Sequence, residues 1–320
     1  MVEIRGGIIQ NNIECSHSGR LGVLRFGNEF LYECNTCGLI FNKKHNNDFD
    51  AKSLYKEYYK NEIGGRFGFG IEHLIRAFRF FRALKIFTAY PYARSILDIG
   101  SGRGFVLYYL KKYFKFKKAV GIQISRNACE FSRKKLGLEI IENDFLDIQF
   151  SEEKFDLVTM THVLEHVARP QGYIEKISRI LNDGGELIIE VPNFSSWTRY
   201  LSGRHWLGLD LDYHVTFFTP DSLRNLLKKY GFKIKTVRSF SLEYSSFISA
   251  QSLASLATKT DHFFFKFIQK PDFTPILFPQ VILFFMLLPF CFLINLFLYF
   301  SSNGEVLFIA AKKGLNHDTK

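Results

Sequence analysis

No lysine, arginine, aspartate or glutamate occurs between Phe273 and Gly304. That absence removes the usual mark of a solvated surface segment. The stretch "ILFPQVILFFMLLPFCFLINLFLYF" (276–300) also exceeds the ~20 apolar residues that a membrane-spanning helix needs. An apolar secretion signal is lacking too: "MVEIRGGIIQNNIEC" at the start has no hydrophobic core segment. The expectation is a cytoplasmic chain with reduced thiols, peripheral at most to the inner face of a membrane. Cysteine is scarce, with five residues at 15, 34, 37, 129 and 291. An odd, small number in such a chain argues against a disulfide framework and leaves metal binding open for the first three. No internal repeat is present.

What is there is a chain of 320 residues, enough for one large domain with additions or for two domains. Its 47% hydrophobic and 23% charged residues are ordinary for a globular protein. Phenylalanine is not ordinary, at 36 residues crowded toward the C-terminus. Lysine and arginine outnumber the acids 42 to 31, a net charge of +11. That balance favours anionic partners such as nucleic acid, anionic lipid or acidic substrates, and it equally fits a solvated basic face such as "KKYFKFKK" (111–118).

Four zones follow one another. Residues 1–50 are polar and hold three cysteines. Residues 51–90 contain "GGRFGFG" (64–70) and then an amphipathic run (71–87) with Leu74, Ile75, Phe78, Phe81, Ala83 and Leu84 mostly at helical spacing, stopped by Pro91. Residues 95–240 alternate strand and helix patterns. Residues 241–303 are rich in phenylalanine, and "EVLFIAAKKG" (305–314) closes the pattern. In the third zone strands are predicted at 95–100, 118–125, 139–145, 155–162, 186–193 and 232–240. Helices are predicted at 104–114, 126–137, 170–185 and 219–231. Pro170 opens one helix and Gly184–Gly185 close it, while Thr219 caps another with Pro220 at its first position. Such alternation predicts a doubly wound α/β domain, a mostly parallel sheet covered on both faces.

In "LDIGSGRG" (97–104) a buried strand enters a glycine-rich turn and then a helix. Gly100, Gly102 and Gly104 let the backbone turn tightly and approach a ligand, and the helix N-terminus behind them favours a negative group. Asp98 precedes the turn on the strand, which gives the motif its proper context.

Here the sequence resembles the class I S-adenosylmethionine-dependent methyltransferases, in their small-molecule branch. The resemblance covers residues ~50–240 and the strand at 305–313. It rests on "ILDIGSGRG", "AVGIQIS", "NDFLDIQFSEEKFDLVTMTHVLEHV", "LNDGGELIIEVPN" and "DYHVTFFTPDSLRNLLKKYGF". It implies a Rossmann-like seven-stranded sheet and S-adenosyl-L-methionine as cofactor. Gly100, Ser101, Gly102 and Gly104 would wrap the methionine part, and Asp98 would orient the turn or meet the amino group. Asp144 would take the adenine amine and Phe145 would stack on the ring. Met160, Thr161 and His162 would line the sulfonium. One position departs from the family pattern: Gln123 stands where an acid usually accepts both ribose hydroxyls. Losing the charge-assisted bond predicts cofactor binding weaker by roughly tenfold.

A hydroxyl or enol acceptor would need a base. His214 ranks first and His166 second among the candidates, with His162 and His205 also considered. His162 and His166 lie four apart, but "HVLEH" is not the H-E-x-x-H metal motif, so metal there is disfavoured. "ECSHSG" (14–19) and "YECNTCGLIF" (32–41) resemble the two knuckles of a zinc ribbon, with Ser18 where a cysteine is expected. Cys15, His17, Cys34 and Cys37 are the candidate zinc ligands and His45 a reserve; a metal-free remnant of the same hairpin is the alternative.

The expected division is a zinc-ribbon-like module (1–50), a methyltransferase domain (51–240), an apolar cap or membrane-docking insert (241–304), and the last strand with its tail (305–320). The resemblance implies that the strands at 232–240 and 305–313 share one sheet, so the apolar run between them cannot cross a membrane once. Pro275, Pro279 and Pro289 are expected to cut it into shorter pieces, read as a buried or re-entrant hairpin or interfacial segments. The expected function is methyl transfer to a small or lipid-linked acceptor, first at oxygen, with peripheral membrane contact. A non-catalytic membrane-associated binding module is the alternative. So is a nucleic-acid methyltransferase, which the absence of "NPPY" or "DPPY" after the fourth strand disfavours.

Overall fold

The structure, a computed structural model, describes residues 21–26, 29–42, 69–269 and 273–314. Cys15, His17 and His45 of the expected zinc module lie outside the described residues, as does the start of the glycine-rich stretch at 64–70.

The sheet follows from strands that are apolar on both faces. In β4 (Ser95–Ile99), Ile96 faces one way while Leu97 and Ile99 face the other. The same split holds in β7 (Phe155–Thr161), where Leu157 joins the first core and Val158 and Met160 the second. Period-two alternation between two apolar cores is what a sheet covered on both sides requires. One core is closed by α1 (Phe69–Ala89), α2 (Phe105–Tyr113) and α3 (Arg126–Leu136) through Ala83, Leu107, Leu110 and Cys129. The other is closed by α4 (Pro170–Ile180) and α6 (Pro220–Lys229) through Ile174, Ile177, Leu223 and Leu227. Between these two helices lie β8 (Leu181–Pro192), α5 (Trp197–Ser202) and β9 (Thr216–Phe217). Thr219 caps α6 in a reciprocal capping box with Ser222, and Pro220 opens it, as the sequence predicts.

With β5 (Lys118–Gln123), β6 (Glu139–Glu142), β10 (Phe232–Arg238) and β11 (Val306–Lys313) the seven-stranded order is β10-β11-β8-β7-β4-β5-β6. The chain leaves β4 toward β5 and β6, then returns to β7 on the other side. The switch point is therefore at the carboxyl end of β4, where open α/β sheets bind ligands. β11 is antiparallel to both neighbours, as expected.

Three boundaries differ from expectation. α4 ends at Ile180 and β8 begins at once, because Leu181 pairs with Phe155; Gly184, at φ 74°, makes a turn inside the strand instead of ending the helix. β6 stops at Glu142, and residues 145–147 form a 3-10 turn whose Leu146 N–H is accepted by the Asp144 side chain.

The described part of the N-terminal segment is β1 (Leu21–Phe26), β2 (Glu29–Cys34) and β3 (Ile40–Asn42), an antiparallel meander. It does not stand apart: β3 pairs with β9, and Leu31 and Ile40 share a core with Phe194, Trp206 and Ile248. Among the described residues neither Cys34 nor Cys37 belongs to a group of three donors able to hold a metal. Two thiols do not close a four-ligand zinc site, and zinc is not supported.

Between β10 and β11 lie α7 (Ser245–Thr258), α8 (Phe263–Gln269) and α9 (Leu277–Phe297). The prolines do not cut the apolar run into pieces. Pro275 precedes α9, Pro279 falls in its first turn where no intrahelical N–H bond is lost, and α9 continues through Pro289 for 21 residues. Packing on α7 holds it: Asn295 Nδ2 donates to Ser249 Oγ at 2.8 Å, and Gln280 Nε2 to Thr258 Oγ1 at 3.2 Å. The inward faces are small or polar, with Ser249, Gln251, Ser252, Ser255, Gln280 and Asn295 buried. The outward face of α9 is bare apolar surface, with Phe278, Phe285, Phe290 and Phe297 between 58% and 86% exposed. That polarity is the reverse of a helix pair built for water.

Candidate active site

The turn after β4 is built by three glycines at positive φ: Gly100 at 73°, Gly102 at 54° and Gly104 at 73°. Gly100 and Ser101 N–H both donate to Ile122 O, at 2.8 and 3.0 Å, which ties the turn to β5. A Cβ on Gly100 would lie 2.2 Å from Val163 Cγ2, and one on Gly104 2.5 Å from Leu138 Cδ1. Gly102 differs, because nothing lies within 4 Å of its would-be Cβ. Beside this open stretch, the buried Ser101 Oγ has no hydrogen-bond partner among the described residues. The first turn of α2 has no side-chain cap. Unmet donors, open backbone and an unpaired hydroxyl suit a polar, partly anionic ligand such as the amino-acid end of S-adenosylmethionine.

Asp98 lies one turn back, accepting from Thr159 Oγ1 at 2.7 Å. Burial pushes its carboxyl up to about 6, against the pull of the Thr159 bond. Gln123 ends β5, but its Oε1 already accepts from Ile124 N (2.7 Å) and Ser125 N (3.1 Å). Only its amide nitrogen remains to meet a ligand. The carbonyl therefore acts on the turn into α3, where the family's acid would accept the ribose hydroxyls. Asp144 accepts from Tyr173 O–H at 3.1 Å as well as from Leu146 N.

Two expected ligand residues face the core. Phe145 is 1% exposed, with Tyr173 and Phe150 rings 5.2 and 6.0 Å away, so no ring face is left to stack on a purine. Met160 is fully buried, so its side chain packs the sheet and only its backbone reaches the edge.

His162 follows β7 with φ 52°, a left-handed conformation that non-glycine residues adopt at a cost of ~1–3 kcal/mol. Its Nδ1 donates to Glu165 Oε1 at 3.0 Å, its Nε2 faces Glu190 Oε1 at 3.6 Å, and its ring meets Tyr244 edge-on at 4.4 Å. Burial alone would lower its pKa, but the two carboxylates outweigh that and raise it to about 9, so it is an imidazolium. Glu190, at the end of β8, accepts from Arg82 Nη2 at 2.7 Å and from Ser241 Oγ at 3.1 Å. Burial opposes its ionisation, yet Arg82 and His162 hold it far below the usual carboxylate range. Arg79 and Arg82 also pair with Glu243, at 2.9 and 3.3 Å. Helix α1, the sheet edge and the first residues of the apolar insert thus meet in one buried ion network.

His166 and His214 come together, ring centroids 4.8 Å apart. Their Nδ1 atoms donate to Tyr213 O and Gly208 O, each at 3.0 Å, and burial lowers both pKa values. Both are neutral at pH 7, with Nε2 as the basic atom. His205 is elsewhere, bonded to Thr260 O of the insert. Sequence reasoning missed Arg82, Glu190, Glu165 and Tyr244. An acid inside the apolar strand "LIIEVP" and arginines 76, 79 and 82 spaced along one helix were the available signals.

A family model for a methyltransferase domain matches residues 72–237. An uncharacterized protein of Methanocaldococcus jannaschii is 28% identical over 137 residues, 43% of this chain and 63% of that protein. A demethylmenaquinone methyltransferase of Porphyromonas gingivalis is 25% identical over 199 residues, 52% of this chain and 80% of its own. A ubiquinone biosynthesis O-methyltransferase of Cereibacter sphaeroides is 32% identical over 91 residues, 27% and 37% of the two chains. The chain thus spans about three fifths of the length of the archaeal relative. Among solved structures, an S-adenosylmethionine-dependent methyltransferase of Archaeoglobus fulgidus superposes with a TM-score of 0.48 at 19% identity, covering 82% of this chain and all of that one. With more than half its length matched, in the motif order given by the glycine turn, the switch point and the antiparallel last strand, the chain belongs to the class I S-adenosylmethionine-dependent methyltransferases.

Proposed function

We propose that this protein transfers a methyl group from S-adenosylmethionine to an oxygen of an apolar or lipid-linked acceptor, which it meets at a membrane surface. The observation that carries the acceptor class is α9. Its outward face is uncharged and exposed, its inward face is polar, and Tyr244, near the start of the insert that bears it, packs against His162. Flanking strands β10 and β11 are neighbours in one sheet, so α9 lies along an interface instead of crossing it. Arg238, over the Phe300 ring just past the C-terminal end of α9, supplies a cation for anionic headgroups. Relatives named for quinone and fatty-acid acceptors agree with this class.

The cofactor, when bound, supplies a methyl already activated on its sulfonium. Gly100, Ser101, Gly102 and Gly104 would hold its amino-acid end, Asp98 would set the turn, Asp144 would take the adenine amine, and the Gln123 amide would donate to the ribose. Leu146, two residues after Asp144 and partly exposed, would offer the apolar contact to the adenine in place of the buried Phe145. The remaining work is alignment of the acceptor in line with the methyl, and removal of its proton. His214, neutral and with Nε2 as its basic atom, is the proposed base, with His166 beside it. Residues 51–240 carry the transfer and residues 241–304 the docking surface.

The test pairs calorimetric titration with S-adenosylmethionine and flotation on anionic vesicles, comparing wild type with Phe285→Glu/Leu293→Glu. Micromolar cofactor binding, flotation of the wild type and its loss in the variant are expected. No cofactor binding refutes the enzyme reading, and retention on DNA without flotation refutes the lipid reading.

A further inference from the structure

The histidine pair has a third member that the proton-transfer reading does not use. Glu165 is 2% exposed. Its Oε1 takes the His162 Nδ1–H at 3.0 Å, while Oε2 has no hydrogen-bond partner among the described residues. A buried carboxylate oxygen without a partner is costly, at ~1–3 kcal/mol or more, so its occupant is worth identifying. One donor atom each from Glu165, His166 and His214 lies within 4.8 Å of the others. A carbonyl oxygen only accepts, so the Tyr213 and Gly208 contacts fix the proton on Nδ1 of both rings and leave Nε2 the lone pair. An Nδ1–H anchored on a backbone carbonyl is how metal-ligating histidines are oriented. The two loops are also tied together, since Val215 N donates to Glu165 O at 2.8 Å.

We infer that Glu165 Oε2, His166 Nε2 and His214 Nε2 form a divalent transition-metal site on the acceptor side of the active site. Two imidazoles and a carboxylate suit zinc, manganese or iron better than magnesium or calcium, and leave coordination positions open. Donors around tetrahedral zinc lie ~3.3 Å apart, from bond lengths near 2.0 Å, so loading draws the two rings inward by about an ångström. His162 stays outside the coordination shell and orients Glu165. With the ion bound, His166 and His214 no longer serve as bases. An acceptor hydroxyl in an open position would be acidified by the ion and give its proton to solvent water, the ion taking the place of the imidazole base. That role rests on the methyl-transfer reading; the binding itself does not.

The test titrates chelator-treated, full-length protein with Co²⁺, followed by visible absorption, and with Zn²⁺ by calorimetry. Expected are one equivalent bound, ligand-field bands of a nitrogen and oxygen donor set without thiolate charge transfer, and affinity falling at least ~10-fold in Glu165→Gln and in His214→Gln. A Cys34→Ser/Cys37→Ser variant should bind as wild type. The wild-type spectrum needs no variant to fold, and circular dichroism checks those that are made. Absence of binding, thiolate bands, or affinity unchanged in both Glu165→Gln and His214→Gln overturns the site. Metal binding without S-adenosylmethionine binding would instead sink the methyl-transfer reading and leave the site standing.

Discussion

Replacing His162 by asparagine gives the sharpest test of the ion network. In the folded protein its pKa stands at about 9, against 6.5 for a free imidazole. The difference of 2.5 units, at 1.36 kcal/mol each, is worth about 3 kcal/mol. The side chain is 21% exposed, so this is an upper figure. The sign follows from the raised value. The stabilisation is complete below the unfolded pKa of 6.5, declines above it, and is nearly gone by pH 9. His166 and His214, held below 6.5, oppose this decline up to about pH 7.5, where the unfolded imidazoles have lost their protons, and Asp98 titrates at about 6, so the His162 signal is read above pH 7.5. Thermal unfolding followed by circular dichroism, at fixed ionic strength from pH 7.5 to 9, should show the wild-type Tm falling by roughly 3 °C. Asparagine tolerates the left-handed backbone at φ 52° but carries no proton to lose. His162→Asn should therefore be less stable than wild type at pH 7.5 and nearly flat from there to pH 9. A flat wild-type profile, or the same decline in the variant, would refute the assignment.

Gln123→Glu should keep both backbone N–H bonds on one oxygen and offer a charged second oxygen to the cofactor. Calorimetry should then show S-adenosylmethionine binding roughly tenfold tighter, and no change would mean the side chain does not reach the ligand. Gly100→Ala and Gly102→Ala should separate folding from binding. The first places a Cβ 2.2 Å from Val163 and should cost at least ~1–3 kcal/mol of stability in urea melts. The second meets open space but puts alanine at φ 54°, so it should cost only about 1 kcal/mol yet lose most of its cofactor affinity.

The sheet was legible because its signals are local and agree with one another. Apolar strands, a capped "TPDS" helix start and the glycine turn each specify geometry within a few residues. The antiparallel β11 came from the resemblance, since nothing local in "EVLFIAAKK" states its partner. Proline was misread in α9, where packing of Asn295 and Gln280 on α7 outweighs the bond lost at Pro289. Phe145 was misassigned because the chain enters a 3-10 turn at Asp144, which keeps the carboxylate at the edge and drives the next ring into the core. The ion network could not be read at all. Its members come from α1, β7, β8 and the insert, at sequence separations over which one chain carries no pairing signal.

The place of β11 has a kinetic consequence. This strand lies between β10 and β8, so the sheet stays in two incomplete parts until the excursion from Arg238 to Val306 has closed. Loop-closure entropy grows slowly with length, and carrying the hairpin instead of a tight turn costs only about 2 kcal/mol at equilibrium. The burden falls on the rate, because the last docking event joins strands distant in sequence. Until then the facing edges of β8 and β10 are unpaired, and the phenylalanine-rich segment, which precedes β11 in the chain, has already been synthesised. A nascent chain in this state has both an open strand edge and a greasy surface, the two features most prone to aggregation. An early landing on lipid would shield the second while the first awaits its strand.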